Sequence, residues 1–211
     1  MRNENSRKLA STMLLLFDYD GVIVDSFAPL LALCAAAQRE LRLGRAPTPD
    51  DFRTGPNLTF DEIGRRIGIP EDRVADYAAR IFSRQQTEWN PAPFPDIPAT
   101  LLQLARRHTL AVVTASRSSS VQASLRSFGL EAAVSRVMGG ESGDNKSVRI
   151  ARAIREFQAA LADTCMIGDA VSDIRAGRAA GVHAVAVAWG FQDRALLARE
   201  GPDVILDRPA E

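Results

Sequence analysis

Short apolar runs recur along the chain, at residues 13–17, 110–114, 164–168, 183–188 and 203–207, with a weaker one at 133–139. They are continuous, as in "MLLLF" and "LAVVT", where a strand with one wet face would alternate. Continuous runs of this length predict strands covered on both sides. Between most of them lie helical periodicities, at 97–107, 118–128, 145–160, 173–180 and 192–200. Strand and helix in alternation predict βαβ units around a parallel sheet.

One stretch breaks this rhythm. Residues 26–90 show helical spacing and no convincing strand: a long amphipathic helix at 27–43, then two more at 59–69 and 71–89, with Pro70 between them. The stretch closes on "NPAPFPDIP", whose Pro91, Pro93, Pro95 and Pro98 make a stiff connector. The expected organisation is therefore an α/β, Rossmann-like parallel-sheet core formed by residues 1–25 and 91–211. A helical domain, residues 26–90, is inserted just after its first strand.

Composition narrows the function classes. The 211 residues are 46% hydrophobic and 25% charged, ordinary for a globular chain. Lys plus Arg (26) balance Asp plus Glu (26), so there is no electrostatic footprint for nucleic acid or an anionic membrane. The two cysteines, Cys34 and Cys165, form no CxxC pair and sit in apolar stretches, as core thiols of a reducing compartment do. The first residues are polar, and no run approaches the ~20 apolar residues that span a bilayer. These features predict a cytoplasmic protein acting on small molecules, as a monomer or homodimer.

The chemistry is concentrated at strand ends. "LLLFDYDGVIVDS" (14–26) runs from an apolar strand straight into Asp18 and Asp20, an expensive place for two carboxylates unless positive charge compensates them. In a parallel sheet, ligands bind beyond the carboxyl ends of the strands. A second pair, Asp169 and Asp173 in "MIGDAVSDIRAG", stands at the same end of a later strand, so the two pairs can meet in space. An acidic, oxygen-only cluster suits a hard cation such as Mg2+. Thr114, which ends its strand, and the next main-chain N–H can grip an anion, and Lys146 at a helix start can reach the same crevice. Together these groups make a phosphate cradle. An aspartate held against it can attack phosphorus, and a second aspartate two residues on can move the proton.

These residues resemble the four motifs of the haloacid dehalogenase superfamily. "DYDGVIVDS" resembles the first, "VVTAS" the second, Lys146 the third and "GDAVSD" the fourth, in the same order. The run "GVHAVAVAWGF" is similar to the phosphoglycolate phosphatase-like branch, and the helical insert matches that branch's type I cap. The resemblance implies a Mg2+-dependent phosphatase of small phosphate monoesters, phosphoglycolate-like or sugar phosphates. It implies Asp18 as nucleophile and metal ligand, and Asp20 as general acid/base with its main-chain carbonyl on the metal. It implies Thr114, the Ala115 amide and Lys146 on the phosphoryl group, with Asp169 and Asp173 completing the metal site. Within the cap, Arg53 and Thr54 of "FRTGPN" are the expected specificity residues, reading a second anionic group. Asn145 stands where a P-loop needs glycine, so "GGESGDNKS" is a decoy.

Neighbouring chemistries leave different residues. The superfamily's dehalogenases lack the second aspartate, which is present here as Asp20. Its phosphonate hydrolases use a cap lysine, and residues 26–90 contain none. β-Phosphoglucomutases carry a histidine where this chain has Leu30. A phosphomutase and a non-catalytic binding or regulatory protein on the same fold remain the two alternatives.

Overall fold

The computed structural model describes residues 12–54 and 59–211. Six strands form one sheet: β1 (Leu14–Phe17), β2 (Thr109–Val113), β3 (Arg136–Met138), β4 (Thr164–Gly168), β5 (His183–Val187) and β6 (Val204–Leu206). All neighbours are parallel, in the order β3-β2-β1-β4-β5-β6. The α/β, Rossmann-like expectation holds. β1 lies centrally, and the strand order reverses beside it, where an open α/β sheet offers its binding crevice.

The continuous apolar runs follow from the pleat, which sends successive side chains to opposite faces. Leu15 and Phe17 pack with Ile97 and Leu101 of α5 (Ile97–Leu104) and with Val121 and Leu125 of α6 (Ser118–Ser127). Leu14 and Leu16 face the other way, onto Ile150 and Ala153 of α7 (Lys146–Phe157) and Ala176 of α8 (Val171–Ala179). Polar residues at any of these positions would be stranded in one core or the other. Ile174 of α8 and Leu197 of α9 (Arg194–Arg199) cover β5 through Ala184 and Ala186.

The helices between β1 and α5 build a separate apolar cluster. Leu30, Leu33, Cys34 and Ala37 of α1 (Phe27–Leu41) meet Ile63 of α3 (Phe60–Arg66) and Val74, Tyr77 and Ile81 of α4 (Glu71–Glu88). One element here was not expected from the sequence. The turn α2 (Asp50–Arg53) buries Phe52 in that cluster. Its signal was present in "TPDD": Thr48 donates its main-chain N–H and its hydroxyl to the Asp51 carboxylate, the returning half of a capping box. The connectors to and from this region run side by side. Val24 bridges Pro93, Asp25 N donates to Ala92 O, and Phe94 N donates to Ile23 O.

Both cysteines are buried free thiols. Among the described residues, no helix is long and apolar enough to cross a membrane.

Candidate active site

Asp18 is the first residue past β1, and its position is set by the main chain: Asp18 N donates to Ile167 O of β4 at 2.8 Å. Tyr19 N donates to Asp18 Oδ1 at 2.8 Å, which orients the carboxylate and leaves Oδ2 to the crevice. Lys146, the first residue of α7, donates to Asp18 Oδ2 at 2.8 Å and to Asp173 Oδ1 at 2.5 Å. Burial alone would lower the ammonium's pKa, but the charges of Asp173 and Asp18 outweigh it and hold Lys146 above its ordinary value.

Asp169 follows β4 immediately and accepts from Phe191 N at 2.6 Å. Asp173 lies in the first turn of α8, where its Oδ2 accepts from Ala170 N at 3.1 Å. Asp18, Asp169 and Asp173 each offer a carboxylate oxygen within 4.8 Å of the others. Glycine makes room for this cluster: Gly21 has φ +75°, and a Cβ there would collide with the Asp169 carboxylate. A Cβ on Gly168 would collide with Asp173 in the same way.

Electrostatics mark the cluster as incomplete in positive charge. Burial first, then the neighbouring Asp173 and Asp18 charges, push Asp169 well above the carboxylate range. Burial raises Asp173 to about 6 even against the Lys146 charge that opposes it. One ammonium does not neutralise three carboxylates, and the donors are all hard oxygens. These residues fit a divalent cation of the Mg2+ class.

Asp20 is separate from that cluster. Its Oδ2 accepts from Ser116 Oγ at 2.6 Å, while its Oδ1 is buried with no hydrogen-bond partner. Burial, opposed by the Ser116 bond and aided by the Asp18 charge, raises Asp20 to about 6. A carboxyl with one oxygen anchored, one free and a pKa near neutrality can both give and take a proton.

The second strand's end closes the crevice. Thr114 is buried, and its Oγ1 accepts from Ser116 N at 3.0 Å. Gly140 N donates to Ser116 O at 3.0 Å, and a Cβ on Gly140 would collide with Ala115 O. The 114–116 turn is thus clamped between Asp20 and the loop after β3.

Asp18, Asp20, Thr114, Ala115, Lys146, Asp169 and Asp173 therefore converge at one end of the sheet. Arg53 and Thr54 belong to the helical region. Arg53 is exposed, its guanidinium 5.3 Å from the centre of the Phe27 ring, and Thr54 Oγ1 donates to Asp50 O at 2.7 Å. Residues 55–58 of the same loop lie outside the described residues. Sequence reasoning missed two contributors, Ser116 and Phe191. Ser116 is one of four serines between 116 and 120, a run in which nothing local singles it out, and Phe191 acts through its main-chain N–H, which side-chain chemistry does not signal.

The haloacid dehalogenase-like hydrolase family model matches residues 15–187. The chain belongs to that family. Among its relatives, a phosphoglycolate phosphatase of Synechococcus elongatus is 29% identical over 201 residues, covering 93% of each chain. A phosphoglycolate phosphatase of Neisseria meningitidis is 30% identical, covering 90% of this chain and 87% of that one. A haloacid dehalogenase-like family hydrolase from Streptococcus pneumoniae shares the fold, with TM-score 0.85 at 21% identity over 94% of this chain and 95% of that one. Motifs and relatives together put the chain among the family's phosphatases.

Proposed function

We propose that this phosphatase is Mg2+-dependent and hydrolyses a small phosphate monoester through an aspartyl phosphate on Asp18. The observation that carries the reading is Lys146 bridging Asp18 and Asp173, with Asp169 beside them, at one end of the sheet.

Asp18, Asp169 and Asp173 would hold the cation, with the main-chain carbonyl of Asp20. When bound, it supplies the positive charge that the cluster lacks and offsets charge on the phosphoryl oxygens. Asp18 Oδ2 attacks phosphorus as the ester P–O bond breaks, and Asp20 donates its proton to the departing alkoxide. Asp20, now a carboxylate, takes a proton from a water that attacks the aspartyl phosphate. The P–O bond to Asp18 breaks, inorganic phosphate leaves, and both aspartates return to their starting states. Thr114 Oγ1, the Ala115 N–H and Lys146 hold the phosphoryl oxygens throughout. A site poised in this way acts on charge that develops in the transition state.

Residues 26–90 would serve as the cap over the core of residues 1–25 and 91–211. The paired connectors at Val24 and Pro93 support a hinge at that junction. Arg53, over the Phe27 ring, is the residue in that region best suited to a second anionic group on the substrate. Phosphoglycolate, the substrate in the relatives' names, carries such a group and is the first compound to test. A mutase reading gains no support, because Leu30 is buried in the helical cluster.

The test is phosphate release from phosphoglycolate, sugar phosphates, nucleotides and p-nitrophenyl phosphate, with Mg2+ and with EDTA. Metal-dependent release that disappears in Asp18→Asn supports the mechanism. Release that persists in Asp18→Asn overturns it.

A further inference from the structure

Three carboxylates, one ammonium and one divalent cation sum to zero charge, so the proposed site would receive a phosphoryl dianion with no net attraction. One cation nearby remains unused. Arg149 lies one turn after Lys146 on α7 and is only 5% exposed. Its Nη1 donates to the Asp144 carbonyl, and its Nε is buried with no hydrogen-bond partner. Among the described residues no carboxylate pairs with it, because the Asp144 carboxylate is taken by Arg152, and Asp18 and Asp173 are taken by Lys146. A buried guanidinium without a counter-ion is costly, and side chains that pack for structure alone are seldom left so.

The direction of this unused charge is set by its neighbours. Burial lowers the Arg149 pKa, and the strongest opposing influence is the charge of Asp18, ahead of Asp144 and Glu141. Arg149 thus stands on the same first stretch of α7 as Lys146, and Asp18 is the carboxylate that acts on it most strongly.

We propose that Arg149 is a second cationic phosphoryl-binding residue, which pairs with the substrate's phosphate dianion beside Lys146. A guanidinium suits the task because its fixed fork of N–H donors matches phosphate oxygens, and it stays charged where it is buried. Lys146, already divided between two carboxylates, has one N–H left to offer. The proposal rests on the phosphatase reading, since it assigns the partner of Arg149 to that substrate's phosphoryl group.

The test measures binding as well as turnover. Inorganic phosphate is titrated calorimetrically into wild type, Arg149→Met and Arg149→Lys in Mg2+ buffer, with thermal melts of each protein. Phosphate affinity should fall at least about tenfold in Arg149→Met, and most of it should return in Arg149→Lys, as expected for a charge-assisted contact. With a turned-over substrate, KM should rise in step with the phosphate Kd. Unchanged phosphate affinity in a folded Arg149→Met, with only a lowered Tm, would overturn the proposal and make Arg149 a strut for the 139–145 loop. If Arg149→Met fails to fold, Arg149→Gln replaces it: a charge-assisted phosphate contact loses affinity there, whereas a strut changes Tm alone. Wild type that binds phosphate but releases none from any ester would fault the phosphatase reading and leave this inference standing.

Discussion

Two aspartates, the buried Asp51 in the helical region and the half-buried Asp20 at the end of the sheet, have been driven in opposite directions. Asp51 accepts from Arg45 and from both donors of Thr48, and chiefly through the Arg45 bond its carboxyl is held down at about 2. Asp20 has one oxygen on Ser116 and the other with no partner, and burial lifts it to about 6. The same side chain stays ionised where its hydrogen bonds are complete, and is held near neutrality, as a proton carrier needs, where they are not.

The contrast extends to whole regions. Around α1–α4 the charges are satisfied in pairs: Arg84 and Arg80 on Glu40, and Arg65 on Glu71, all at the surface. At the sheet's end the carboxylates crowd one another and are supported by a single lysine. One region pairs its charges and the other leaves them crowded, a division expected where activity and stability compete.

The sharpest way to break this comparison is at Asp18. Asp18→Asn should reduce phosphate release by at least about 10⁴-fold, as loss of a nucleophile does. The same change relieves repulsion, so the metal-free melting temperature should hold or rise. A mutant that is both inactive and strongly unstable would show that Asp18 is a structural group. Asp20→Asn follows, with a loss in kcat of roughly 10²–10⁴-fold, the range for a general acid/base, measured on the best ester of the panel.

Asp51 should behave in the reverse sense. Asp51→Ala strands the Thr48 N–H and leaves Arg45 without its carboxylate, at a cost of about 2 kcal/mol read from denaturant unfolding. If Asp51→Ala instead left stability unchanged and abolished turnover, the division between the regions would fail.

The two regions should also respond oppositely to pH. Asp20 and Asp173 have folded pKa values raised to about 6, so the EDTA-treated native state holds more protons than the unfolded chain between about pH 4 and 6. Its Tm should therefore fall as pH rises through that window, and Mg2+ should restore it near pH 7 by binding only the folded state. Asp51, with its pKa depressed, contributes stability that is present above about pH 4 and lost as pH falls toward about 2. A metal-free melt flat from pH 4 to 7 would remove the tension inferred at the sheet's end. The smallest expected effect is Arg65→Ala: its exposed pair with Glu71 should change the melt by no more than its scatter.

Much of this architecture was legible along the chain. The runs at 13–17, 110–114 and 164–168 became β1, β2 and β4 because a strand covered on both faces needs apolar residues at every position. The helix at 145–160 was expected too long at both ends. It starts at Lys146 and stops at Phe157, where Gln158 turns left-handed at φ +52°. Helix ends depend on caps of a few atoms, which periodicity does not register. The turn α2 was hidden for a related reason, since four residues are too few to show a period.

What the sequence determined by itself was the ordering of elements and the four aspartates at strand ends, because pleat, helical period and motif spacing are local properties. Tertiary structure alone decided how those groups are used. Lys146 reaches Asp18 across 128 positions and Asp173 across 27, Ser116 reaches Asp20 across 96, and Phe191 N reaches Asp169 across 22. Whether a carboxylate is paired, crowded or left with an orphaned oxygen depends on such distant contacts, and burial makes the difference large. No local pattern encodes them, because they follow from sheet register and from the direction in which each side chain leaves its strand or helix.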